Sequence, residues 1–387
     1  MHHIATHEAP SGDLYPVLDR GVLQTLINKD LAPIVNRIDQ DGLYPAEFLR
    51  ALGSIGGFRS PILSEFGGSW TGNLSSLTET LKTMTQIGEC CLSTAFAYWC
   101  HTACSRYIQL SDNQATKTRY LPLLARGTLL GGTGLSNTLK SACDIEKFLL
   151  SAQPVEGGYL VNGTLPWVSN LGQEHIFVTG CPVDADGRLV FFIVSCQQKG
   201  FSLKQGAHFT ALEGTGTFAC QFKNVFISDD HVLVDPENSL NYLKRIQSGM
   251  ILAQLGMGFG LIRDCIRVIR RTGRTHDHIN CFETHQADTL DALLKETEER
   301  AFDLAELADL LPEGLQRERL ITDIMKVRLK GGELSLIAAQ TAMLHQGAKG
   351  YLKNSVAQRR LRESYFVAIV TPSLKHLRRE IERREHL

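Results

Sequence analysis

An imbalance of charge is the first thing this chain of 387 residues lacks: 40 Lys and Arg stand against 41 Asp and Glu, a formal charge of −1. No overall field draws nucleic acid or an anionic membrane surface, so neither is expected as a partner. The ten cysteines contain no Cys-x-x-Cys pair, and the adjacent Cys90 and Cys91 suit neither a local disulfide nor a zinc knuckle. Reduced thiols in a cytoplasmic protein are the simplest account. His276, His278 and His285 lie close together, but the first two point in different directions on a helix and no Glu-flanked His pair accompanies them. No metal is therefore expected. The opening Met1-His-His-Ile-Ala-Thr-His-Glu8 lacks the basic flank and apolar stretch of a signal peptide. Low-complexity tracts, repeats of about 20–50 residues, a Gly-x-Ser-x-Gly elbow, a Walker loop and a dinucleotide fingerprint are missing as well. The longest uncharged stretch of the C-terminal half, between Arg245 and Arg263, is interrupted by Gln247, Ser248, Gln254 and four glycines. It is a poor bilayer span and reads as a buried core helix.

Hydrophobic residues make up 43% and charged residues 21%, a globular balance in a chain long enough for several packed layers. Three zones follow one another. From Leu23 to about Arg126 apolar residues recur at helical spacing, as in Phe48, Leu52 and Ile55 and the run Leu77 to Leu110. Pro45, Pro61 and Gly67-Gly68 divide this zone into short helices. Between Leu129 and about Val234 the period becomes two: Tyr159-Leu-Val-Asn-Gly163 reads as a strand entering a tight turn, and Arg188-Leu-Val-Phe-Phe-Ile-Val-Ser195 as another strand. From Ser239 the helical period returns over Leu243–Arg271, Thr284–Leu311, Gln316–His345, Ala357–Val370 and Pro372–Arg384. The segment Ala357–Leu387 carries eight Arg or Lys against four Glu and reads as a solvated face of the final helix. The fold class is mainly α with a central β-domain, divided as 1–128, 129–236 and 237–387.

This order, with the motifs it carries, resembles the acyl-CoA dehydrogenase superfamily. The carrying residues are Gly42-Leu-Tyr-Pro-Ala-Glu-Phe-Leu-Arg50, Ser64-Glu-Phe-Gly-Gly68, His101, Thr118–Gly127, Gly132-Thr-Gly-Leu-Ser136, Asn162–Asn170, Gln346-Gly-Ala-Lys-Gly-Tyr351 and Arg359-Arg-Leu-Arg-Glu-Ser364. The resemblance implies an N-terminal helical domain, a β-barrel-like middle domain and a C-terminal four-helix bundle, binding FAD. It places Thr133, Leu135 and Ser136 in one flavin-contacting loop and Trp167 and Ser169 in a second. Gly347, Ala348 and Gly350 then serve the adenosine end of a neighbouring subunit's FAD, so a homodimer or homotetramer is implied. Backbone N–H groups on short loops suit such a role, because they stabilise the reduced, anionic flavin. An arginine of Arg270-Arg-Thr-Gly-Arg274, taken as Arg271, matches the family's diphosphate ligand, although a basic cluster at a helix end accounts for it equally well. Trp167 by itself also fits an ordinary core tryptophan. Phe96, Tyr98 and Trp99 fall on the family's acyl-pocket floor and are either core packing or a shortened, aromatic pocket.

The departures concern chemistry. Nine residues after Arg362 the family has its catalytic glutamate, in a Glu-Gly-Thr turn. Here the turn reads Thr371-Pro-Ser373, with Ser373 at the cofactor-binding position. The alternative base position, just before an arginine, falls on Lys244-Arg245. A threonine hydroxyl needs its own activating base, and Lys244 can act only if burial lowers its pKa well below about 10.4. Asn137-Thr-Leu-Lys-Ser-Ala-Cys143 does not reproduce the family's substrate-binding Gly-Ser-Asp, which weakens the case for coenzyme A. The first expectation is an FAD-dependent oxidation of a CH–CH bond in an acyl thioester carried by coenzyme A or a carrier protein, with an electron-transfer partner. The alternatives are a monooxygenase of the same fold using reduced flavin and O₂, and a catalytically degenerate member.

Overall fold

The computed structural model describes residues 18–72, 76–183, 188–205, 207–310 and 315–386, so the opening Met1–Glu8 segment lies outside the described residues. Six helices come first: α1 (Arg20–Leu26), α2 (Val35–Gln40), α3 (Ala46–Ser54), α4 (Ser76–Cys90), α5 (Leu92–Gln109) and α6 (Gln114–Ala125). The strands are β1 (Gly131–Thr133), β2 (Leu150–Val155), β3 (Gly158–Val168), β4 (Ile176–Val183), β5 (Arg188–Ser195), β6 (Phe201–Gln205) and β7 (Phe218–Ser228), with helix α7 (Leu135–Ala142) between β1 and β2. The remaining helices are α8 (Ser239–Ala253), α9 (Leu255–Asn280), α10 (Ala287–Leu310), α11 (Leu315–Gln346), α12 (Val356–Ile369) and α13 (Leu374–Glu385).

The strands form one sheet in the order β1-β4-β2-β3-β7-β6, with β5 against β4. β1 runs parallel to the start of β4, and β2 meets its end. β5 shows why the Arg188–Ser195 run is almost continuously apolar. Leu189, Phe191 and Ile193 join the helical core, whereas Val190, Phe192 and Val194 fill a second core within the sheet. A strand buried on both faces loses the polar half of its alternation. The expected tight turn at Asn162–Gly163 is not there. β3 continues to Val168 through a register shift between Val161 and Gly163, where Gly163 takes φ +128°. The extra residue of this bulge lies on β7, where Asn224 takes φ +49° opposite Asn162-Gly163. The uniform β zone is also corrected, since α7 interrupts it.

The helices before and after the sheet share one core. Every residue of α5 is buried, so this helix is enclosed on all sides. The apolar stretch after Arg245 is a core element, with 94% of its most apolar window buried. Its hydrogen bonding is interrupted at Gln254, whose backbone stays helical, between α8 and α9. Its glycines permit close packing: a Cβ on Gly260 would stand 2.4 Å from the Thr85 carbonyl oxygen of α4. The basic tail is not simply solvated. Arg360 is fully buried, bonded to Asp264 at 2.7 Å and Glu363 at 2.9 Å, and Arg359 is buried beside it. Periodicity could not reveal this, because the pairing carboxylate Asp264 comes from α9.

Candidate functional site

β1, α7, the end of β3 and the α12–α13 turn enclose a cavity of about 1130 Å³. Its lining includes Thr133, Leu135, Ser136, Trp167, Ser169, Thr371, Ser373, Phe96 and Trp99, all singled out in the sequence. The first wall begins at the β1–α7 junction. Gly131 donates its N–H to His101 Nδ1 at 3.2 Å, and the opposite ring nitrogen of His101 meets the Leu124 carbonyl at 3.1 Å. Asn170, at φ +62°, donates to the Gly131 carbonyl at 2.7 Å and accepts from Tyr44 at 2.5 Å. These bonds fix the strand from which α7 starts. No side chain caps the first turn of α7, so its backbone N–H groups open beside Leu135 and Ser136, both of which line the cavity.

Trp167 is 59% exposed, which rules out the core-tryptophan account, and its ring meets Phe209 edge-on at 6.3 Å. Beside it a ladder of hydroxyls runs from Ser169 to Thr217 at 2.7 Å and on to Thr215 at 2.8 Å. At the apolar end Phe96 stacks on Trp99 at 5.6 Å and meets Phe366 edge-on at 4.6 Å. Tyr98 does not belong to this pocket. It is fully buried, stacks on Phe58 at 5.7 Å and does not line the cavity. One residue of helical rotation separates its direction from that of Trp99.

The second wall carries Thr371. Its hydroxyl lies 2.8 Å from that of Ser136, joining the α12–α13 turn to the start of α7. The Thr371 carbonyl accepts from Gln254 Nε2 at 2.8 Å; Gln254 Oε1 accepts from Arg328 at 3.1 Å, and Arg328 also donates to the Val367 carbonyl at 2.6 Å. Arg328 is fully buried and has no carboxylate in its bonds, and burial lowers its pKa to about 10. Gln254, Arg328, Phe366, Glu146 and His376 were not foreseen. Their spacing in sequence carries no signal, because their partners lie on other elements.

Lys244 and Arg245 are corrected. Lys244 is 52% exposed and paired with Glu318 at 2.9 Å, and Arg245 binds Asp112 at 2.9 Å. Neither lines the cavity; the residue of α8 that does is Met250, more than one turn further on. Glu146 does border it, but gives its carboxylate to Lys140 at 2.6 Å and to Asn137 at 2.7 Å. Gly347, Ala348, Gly350 and Arg271 lie away from this chain's own cavity. The first three belong to a turn after α11, and Arg271 lines a surface groove with Arg263, Arg267, Arg270 and Arg274.

His101 gives the site a pH dependence. Burial pushes its pKa down from 6.5 to about 3. Between those values the unfolded chain binds a proton that the folded chain refuses. The contribution is full above about 6.5 and is lost, at about 1.4 kcal/mol per pH unit, as the pH falls towards 3. Melting temperature should therefore drop more steeply below pH 6.5 in the wild type than in His101→Gln, whose amide can keep both bonds. Equal slopes would remove His101 as the source.

Comparison with known proteins agrees with this architecture. The family model described as acyl-CoA dehydrogenase, N-terminal domain, matches residues 20–128. Mitochondrial isovaleryl-CoA dehydrogenase of Arabidopsis thaliana is 25% identical over 248 residues, which cover 61% of this chain and 58% of that relative. The match therefore spans less than two thirds of the relative's length. Butyryl-CoA dehydrogenase from Megasphaera elsdenii superposes with a TM-score of 0.80 at 16% identity, covering 98% of this chain and 100% of that one. Dibenzothiophene monooxygenase from Paenibacillus sp. A11-2 gives 0.79 at 16% identity, covering 94% and 95%. Residues 20–128 thus match the N-terminal domain of the acyl-CoA dehydrogenases, and the chain as a whole has the acyl-CoA dehydrogenase fold.

Proposed function

We propose that this chain is an FAD-dependent oxidoreductase whose reaction does not begin with proton removal by a carboxylate, which is the arrangement of a monooxygenase working with reduced flavin and O₂. The carrying observation is the hydroxyl pair Ser136–Thr371, at 2.8 Å, where the resemblance puts the family's glutamate. Glu146, at the cavity wall, is already engaged with Lys140. Oxidation of an acyl thioester at its CH–CH bond needs a positioned base, and neither hydroxyl is one without an activating partner.

The residues fit the cofactor. The uncapped first turn of α7 offers N–H donors to the acceptor edge of a flavin ring, and Trp167 offers a flat exposed face. When bound, FAD supplies the redox chemistry. Phe96, Trp99 and Phe366 form an apolar wall for a small-molecule substrate and exclude water there. A homodimer or homotetramer is part of the reading, with Gly347, Ala348, Gly350 and Arg271 serving a neighbour's FAD. The exposure of Tyr351 (84%) beside that turn supports it. A flavin-reducing or other electron-transfer partner and a cytoplasmic location complete the proposal; ten free thiols favour the latter. The second reading, an acyl-thioester dehydrogenase served by a coenzyme A or carrier-protein substrate, is favoured by the named activity of the plant relative.

Anaerobic titration of the purified protein separates the two. Tighter binding of reduced than of oxidised FAD is expected, followed by ¹⁸O incorporation from ¹⁸O₂ into an apolar substrate. Bleaching of bound FAD by isovaleryl- or butyryl-CoA without oxygen would overturn the first reading in favour of the second.

A further inference from the structure

Three side chains of metal-ligating type converge behind the Thr371 turn. Cys143, His376 and Glu380 each offer one ligand atom, and these atoms all lie within 4.8 Å of one another. Cys143 caps the C-terminal end of α7, while His376 and Glu380 stand four residues apart on α13 and so share one face. All three border a separate cavity of about 10 Å³, roughly the room that one water or ion requires.

Two details point to a ligand. His376 is 9% exposed, and its Nδ1 is enclosed without a hydrogen-bond partner, an expensive state for a buried polar atom. Glu380 meets Arg379 at 3.2 Å and Arg383 at 3.6 Å, in both cases nearest through Oε1, and both arginines favour its ionised form. Arg379 also donates to the Cys143 carbonyl at 2.5 Å and thereby holds the backbone that carries the thiol.

We propose that Cys143, His376 and Glu380 form a three-ligand site for a divalent ion of the Zn²⁺ class. One thiolate, one imidazole nitrogen and one carboxylate oxygen are donors that Zn²⁺ accepts, whereas a thiolate disfavours Mg²⁺ and Ca²⁺. Binding displaces the Cys143 proton to solvent, so thiolate and carboxylate together balance the ion's two charges. Arg379 and Arg383 then face a neutral cluster, and Arg379 acts as the outer partner that orients a ligating carboxylate. The ion ties the end of α7 to α13. α7 carries Ser136 at its other end, and Ser373 caps the same turn of α13 that holds His376, so the site braces the wall of the large cavity. This inference does not depend on the flavin reading.

Co²⁺ is the probe, added to chelator-treated protein. A thiolate-to-cobalt charge-transfer band with tetrahedral-type d–d bands is expected, both displaced by Zn²⁺, together with a rise in melting temperature on adding Zn²⁺. Cys143→Ser, a near-isosteric change at a helix end, should abolish the charge-transfer band and the Zn²⁺-dependent rise. No band, or a band that survives Cys143→Ser because another thiol such as the exposed Cys281 binds the ion, overturns the proposal. Should Cys143→Ser fail to fold, His376→Gln keeps the thiol and is expected to weaken Co²⁺ binding at least tenfold. An unchanged titration with that variant overturns the proposal as well.

Discussion

Thr371→Glu should leave acyl-CoA-driven, anaerobic reduction of bound FAD near the wild-type level if the site serves oxygen transfer, whereas the acyl-thioester reading predicts a gain of about 10²–10⁴-fold, the range typical of general-base participation. Thr371 lines the large cavity and touches Ser136 at the open first turn of α7, so a carboxylate placed there faces the proposed flavin end. Two forces work against the gain. The N-terminal turn of α7 and the Ser136 hydroxyl stabilise an ionised carboxylate and reduce its basicity. Pro372 restricts the turn that follows, so the new side chain is less free to reorient. Thr371→Glu combined with Pro372→Gly is therefore measured alongside, under the same anaerobic stopped-flow conditions. Rapid wild-type reduction that survives Thr371→Val would show that another group already serves as base. A carboxylate variant that keeps its flavin yet stays inert would show that thioesters are not positioned here, which strengthens the oxygen-transfer reading.

Trp167→Ala should weaken FAD retention by about 10–100-fold, the scale of roughly 1–3 kcal/mol for stacking of a heteroaromatic on an indole. Flavin-free stability should change by only about 0.5 kcal/mol, because the side chain is 59% exposed and its ring partner, Phe209, meets it edge-on. Dialysis with absorbance readout gives the first quantity and melting of the apo-protein the second. A core tryptophan would reverse the order, with a folding loss of about 3–5 kcal/mol. Such a reversal would remove Trp167 from the cofactor site.

The candidate site was partly legible because its loops carry residue types that local geometry demands. Gly132 has no room for a side chain, since a Cβ there would stand 2.6 Å from the Ser169 carbonyl, and this close approach brings the two proposed flavin segments together. Phe96 and Trp99, three apart, lie on one face of α5 and reach the cavity together. Tyr98 was misplaced because α5 is buried all round, and a helix without a polar face gives no phase from which to choose the cavity side. Lys244 was misplaced for a related reason: the residue of α8 that lines the cavity is Met250, well over one turn further on, and helical period alone does not say which turn of a helix reaches a cavity. Helix α7 escaped notice because eight residues between strand-like runs are too few for the helical period to stand out.

The sequence by itself determined the alternation of helical and strand periods, the strand at Arg188–Ser195, and the lack of a carboxylate at position 371. These are properties of adjacent residues, and backbone periodicity or a fixed motif spacing exposes them directly. Tertiary structure alone decided which charges are buried and what meets across elements. Arg360 finds Asp264, Arg328 lies beneath the Thr371 turn through Gln254, and Cys143 faces His376 and Glu380 from another helix. Their neighbours in space are remote in sequence, and a charged or ligating side chain carries no local mark of the partner that packing will bring to it.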